Sequence, residues 1–92
     1  MTTTLIESAK NGQLDVIRQL IVQDGYDVNQ RCSPDGATAL YWSACNGHLT
    51  TCDWLVRHGA DVNQSVEKSG SIPLHGAADR GHVDCVLLLI RK

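Results

Sequence analysis

Apolar residues fall along this chain in two alternating stripes of helical period. Between Thr38 and Asn46 the stripe is Leu40 and Ala44, spaced i, i+4 and flanked by Ser43, so one face is small and apolar. Thr38 stands where its hydroxyl can accept from the free amides of the turn it opens. A second stripe, Leu49, Cys52, Leu55 and Val56, is backed by Thr50, Asp53 and Arg57, the pattern of an amphipathic helix with a wet outer face. Gly47 parts the two helices, and Gly59 ends the second in the place of a left-handed cap. With Ser43 and Ala44 at the contact, the helices can lie close and antiparallel. A hairpin of about twenty helical residues cannot bury both faces by itself, so it needs a neighbour on each side.

The neighbours are copies of the same pattern. Gly12 to Gly47 is 35 residues and Gly47 to Gly81 is 34, and the surroundings repeat with them. Leu5, Leu40 and Leu74 fall in register, as do Ala9, Ala44 and Ala78. The second stripe recurs as Leu14, Ile17, Leu20, Ile21 and as Val83, Val86, Leu89, Ile90. Self-similarity at this period predicts an all-α solenoid of stacked helix-turn-helix units.

Two sets of residues carry a family resemblance: Pro73, Leu74, His75, Gly76, Ala77, Ala78 with Gly81 and His82, and Gly59, Ala60, Asp61, Val62, Asn63. Across essentially the whole chain the sequence resembles the ankyrin repeat. The resemblance implies one domain, a right-handed stack of three units with protruding finger hairpin loops, divided at residues 1–33, 34–68 and 69–92, the last unit incomplete. Tyr41 replaces the usual His, Ala39 the Pro and Ile72 the Thr. The family's Thr-to-His hydrogen bond is therefore not expected in the second and third copies, and Ser71 becomes the expected cap of the third. Each finger is one residue longer than the family pattern, and the first copy holds a further residue between Ile21 and Gly25.

Composition narrows the function. A hydrophobic content of 42% is ordinary for a folded chain, and a formal net charge of -2 with interspersed signs offers no basic footprint for nucleic acid. Met1 to Thr4 is short and polar, without the features of a signal peptide, and the longest apolar run, Cys85 to Ile90, is too short to span a bilayer. Cys32, Cys45, Cys52 and Cys85 are then expected as reduced thiols, with Cys52 and Cys85 packing as small apolar residues, which places the chain in the cytoplasm, with the nucleus as an alternative. Cys45, His48, Cys52 and His58 lie close in sequence but form no paired metal-ligand knuckle, so neither metal nor cofactor is expected. Nor do the histidines and carboxylates assemble a nucleophile, base and orienting group, so no enzyme is expected.

The resemblance implies a protein-binding module, an adaptor or scaffold for another protein or peptide. The alternative is the substrate-recognition part of a larger enzyme, such as a ubiquitin ligase, with its catalytic domain beyond Lys92. In that architecture the concave side is built from fingers and first helices. Its expected contact residues are Arg31, Asp35, Glu67 and Lys68 on fingers, and Trp42, Cys45, Asn46, Asp79 and Arg80 on helices, with Trp42 at the centre beside a step left by Gly76. Trp54 sits in the slot of Leu88 and is expected in the core. Leu55, Asp61, Val62 and Asn63 resemble the sequence that 2-oxoglutarate-dependent asparaginyl hydroxylases read in ankyrin repeats, which makes Asn63 a modification site, ahead of Asn29. Finally, Leu87 occupies the place of Arg18 and Asp53, and no Gly cap follows Ile90. The far face of the third unit is therefore expected to be bare and apolar, covered by further repeats or a second molecule.

Overall fold

Each apolar stripe folds as a helix. The computed structural model describes residues 2–31 and 35–91. In chain order the helices are α1 (Thr2–Asn11), α2 (Leu14–Arg18), a π-helical turn π1 (Gln19–Gln23), α3 (Ala39–Cys45), α4 (Leu49–Arg57), α5 (Pro73–Asp79) and α6 (Val83–Arg91); the described residues contain no strand. They pair as the hairpins α1/α2, α3/α4 and α5/α6. The middle first helix, α3, packs on both α1 and α5, while α6 packs on α4, giving a stack of 31 × 26 × 20 Å.

The same turn closes every hairpin. Gly12, Gly47 and Gly81 have φ of 70, 74 and 75°, the left-handed region in which a side chain is strained. The next amide reaches back each time, Gln13 to Ser8, His48 to Ser43 and His82 to Ala77, all at 2.9 Å. Close approach gives a second reason for glycine at two of these turns. A Cβ at Gly12 or Gly47 would stand 2.6 Å from the imidazole of His48 or His82, which lies on it from the following hairpin.

Local chemistry also sets where the helices start. Thr38 caps α3, its Oγ1 accepting from the Tyr41 amide at 3.3 Å. In the third copy Pro73 opens α5, which makes Ile72 the flanking residue and leaves Ser71 one position too early to cap it. The expected Ser71 cap is therefore absent, and the Ser71 amide donates instead to Ser69 Oγ at 3.2 Å. His75 takes over part of the role, Nδ1 accepting from the Ile72 amide at 3.2 Å.

The extra residue of the first copy becomes π1. Asp24 N donates to Gln19 O, five residues back, and Tyr26 N to Leu20 O, both at 3.0 Å. A π turn holds one more residue than an α turn, so the insertion is absorbed inside the second helix and the corner after it keeps its place. Tyr26 packs half-buried against the core there, in the position of buried Ala60. The core runs the length of the stack through Leu5, Ile17, Leu40, Leu55, Cys52 and Cys85. In the second finger, Val66 N donates to Ser71 O at 2.7 Å and Gly70 N to Val66 O at 2.8 Å, a hairpin-shaped loop anchored by buried Val66. The tip of the first finger, with Cys32 and Pro34, lies outside the described residues.

Candidate functional site

The first helices α1, α3 and α5 stand side by side, and two side chains tie their exposed ends together. Asn46, past the end of α3, donates from Nδ2 to Lys10 O at 2.9 Å and accepts at Oδ1 from Arg80 at 2.7 Å, so it bridges all three hairpins. His48 Nε2 meets the same Lys10 carbonyl at 2.7 Å. Arg80 and Asp79 remain exposed. This edge therefore presents the Arg80 guanidinium, held by Asn46, beside the exposed Asp79.

Arg31 does the same for the fingers. Its guanidinium donates to Gly36 O at 2.7 Å and to Ser65 O at 2.6 Å, and pairs with Glu67 at 3.3 Å. Lys68 N donates to Asp35 O at 3.2 Å. Arg31, Asp35, Glu67 and Lys68 thus come together in one cluster joining two fingers. The exposed ion pair itself contributes little. Its bonds to carbonyls of two loops are what hold those loops in register.

The aromatic centre is more enclosed than the sequence implied. Trp42 is half-buried and packs against the core, edge-on to Tyr41 at 5.6 Å between ring centroids, with Lys10 Nζ 4.4 Å from its own centroid. Its indole Nε1 is buried and has no acceptor among the described residues. No step remains beside Gly76, because the Cys45 thiol and the Tyr41 ring fill that space. Cys45 is therefore a correction. It is 2% exposed and acts as filler between α3 and α5, out of a partner's reach. An i, i+4 count from Tyr41 carries the missed signal: Cys45 follows Tyr41 by one turn and bonds it through the side chain. Trp54, expected in the core, packs half-buried against it and stacks on His58 at 3.8 Å.

Burial pushes the thiols of Cys45, Cys52 and Cys85 upward, and the Tyr41 hydroxyl with them. Cys52 and Cys85 face one another from α4 and α6 as free thiols. Raised values keep them protonated and weak as nucleophiles. Cys45, His48, Cys52 and His58 each engage a different neighbour: Tyr41, the Lys10 carbonyl, Cys85 and Trp54 respectively. Among the described residues no three His, Cys, Asp or Glu side chains gather as a metal site.

The two asparagines of the corners differ. Asn29 Nδ2 donates to Gly59 O at 3.0 Å, and its Oδ1 accepts from the Asp61 amide at 2.7 Å, which locks the first corner to the second. Asn63 is exposed, with its amide donating to Asp61 Oδ1 at 2.9 Å.

Comparison with known proteins agrees with this geometry. A search of curated proteins returned no match. The sequence model of ankyrin repeats matches residues 5–92 in three copies. Ankyrin repeats are protein-interaction modules, and the Gly-turn ladder, the stacked hairpins and the joined fingers are their architecture: this chain belongs to the ankyrin repeat family.

Proposed function

We propose that the chain is an adaptor or scaffold module that binds a partner protein or peptide on the side formed by its fingers and first helices. The observation carrying this reading is that both rims of that side are held in place before any partner arrives, one by Arg31 and the other by Asn46. Preorganisation of this kind lowers the ordering cost of association. Exposed Glu67, Lys68, Asp79 and Arg80 supply charge selectivity, and Trp42 with the Lys10 stem supplies the apolar centre. A partner recovered with the intact chain from cytosol provides the assay. Trp42→Ala is expected to weaken its binding by about 2 kcal/mol or more, measured well below the melting temperature of the variant. Unchanged affinity with a lowered Tm would assign the ring to packing alone. We place the chain in the cytoplasm or nucleus, in keeping with three buried thiols that serve as packing atoms; imaging of the tagged chain in a secretory compartment would reject this.

Asn63 is proposed as a hydroxylation site on the same module. One atom of dioxygen would enter the Asn63 Cβ–H bond while the other goes to 2-oxoglutarate, which decarboxylates to succinate. Asn63 is exposed, whereas Leu55, eight residues earlier, is fully buried. An enzyme that reads both must catch the chain locally opened. Incubation with such an enzyme should add one oxygen mass to the peptide containing Asn63, faster in a destabilised variant. No gain in either would remove the proposal.

A further inference from the structure

We infer that Cys52 and Cys85 form a modification site, where a small disulfide such as glutathione disulfide oxidises the pair to a covalent staple between α4 and α6. The two helices pack on one another, and the Cys52 thiol hydrogen-bonds that of Cys85 across their junction. Both are free thiols with 0% exposure.

Packing alone does not call for this pair. By register Cys52 repeats Ile17, thirty-five residues on, and Cys85 repeats Thr51, thirty-four residues on. The equivalent places between the first and second hairpins are thus filled by Ile17 and Thr51, which are 0 and 2% exposed and have no thiol to oxidise. Val86 stands in the place of Cys52 in the third copy. Cysteine therefore occupies both halves of one junction and neither half of the other. Cys45 belongs to a different pair of helices, filling the space between α3 and α5 against Tyr41 and Gly76.

The reaction is thiol–disulfide exchange, and it balances without a further reagent. The thiolate of one cysteine attacks a sulfur of glutathione disulfide, forming a mixed disulfide and expelling one glutathione thiolate. The thiolate of the other cysteine then attacks the protein sulfur of that mixed disulfide and expels the second glutathione. The two protons lost by the cysteines end on the two glutathiones; the protein gives up two electrons and the small disulfide takes them. Burial above all raises both thiols, and the Asp84 carboxylate adds to it, so attack in the closed stack is slow. It waits on local opening of the α4 and α6 junction. Once made, the bond joins residues thirty-three apart and removes that freedom from the unfolded chain, which stabilises the stack. In a reducing compartment such a bond is transient and records an oxidising episode.

Intact mass of the folded chain after incubation with excess glutathione disulfide should show the loss of two hydrogens, reversed by dithiothreitol. Cys52→Ala and Cys85→Ala should each abolish that loss. Cys32→Ala combined with Cys45→Ala leaves only the proposed pair and should keep it. The oxidised form of this double variant should stay folded by circular dichroism and melt about 10 °C above its reduced form. Urea well below the unfolding midpoint should speed the reaction, and a rate indifferent to urea would count against the opening step. The proposal is overturned by a parent chain that stays reduced, or by a glutathione adduct that persists on Cys52 or Cys85 in place of the cross-link. It is equally overturned by a loss of hydrogens that survives Cys52→Ala, or by an oxidised form that melts at or below the reduced one.

Discussion

Gly76 shows how one atom's worth of space decides a position. A helical glycine replaced by alanine ordinarily gains roughly 0.5 to 1 kcal/mol from reduced backbone freedom. Here the added methyl would overlap the Cys45 thiol and press on the Tyr41 ring, whose Cε1 lies 3.3 Å away. Overpacking of that kind costs about 1 to 3 kcal/mol, so it outweighs the gain and Gly76→Ala should destabilise by that amount in urea unfolding. Adding Cys45→Ala should recover most of the loss, because it vacates the space the methyl needs. A double variant as unstable as the single one would place the strain elsewhere. The same contact explains why Cys45 was misread as a surface residue. Its spacing on α3 sets it one turn beyond Tyr41, which signals the contact with that ring. The absence of a side chain at Gly76, thirty-one residues later, completes the pocket that buries it, and that part leaves no periodic trace.

The insertion in the first copy was legible as a count but not as a shape. Thirty-five residues against thirty-four says that something is extra between Ile21 and Gly25, yet the count alone leaves open a loop, a bulge or a longer helix. The chain resolves it as π1 because the corner behind it is tied down: Asn29 is bonded to Gly59 O and to the Asp61 amide, so the first corner cannot shift outward to make room. Widening one turn of a helix whose outer side is exposed, at Val22 and Gln23, is then the cheaper solution. Removal of Gln23 should let Leu14 to Val22 run as regular α-helix into the same corner. Its stability is expected to stay within about 1 kcal/mol of the parent or to rise, as a removed π-bulge permits. Loss of cooperative unfolding on that deletion would mean that the extra residue holds the corner in place. Helix starts were likewise read correctly at Thr38, where a hydroxyl caps its own turn, and wrongly at Ser71, where Pro73 fixes the first helical residue instead.

Across the stack, stability is a sum of hairpin terms and junction terms, and the junctions are unequal. The middle hairpin has two, with α3 packed against both α1 and α5. The third has one, and its cost is visible in Leu74, which is half-buried where Leu5 and Leu40 are sealed, and in Leu89, which at 6% exposure is less covered than Leu55 at 0%. The repeat period made three units and their order readable, because identical stripes imply identical contacts. The gradient between them was readable only in part, through the apolar Leu87, since burial depends on what lies beyond each unit. Native-state hydrogen exchange in dilute solution should therefore show the amides of α5 and α6 opening with lower free energy than those of α3 and α4. Uniform protection across all three hairpins would contradict the gradient.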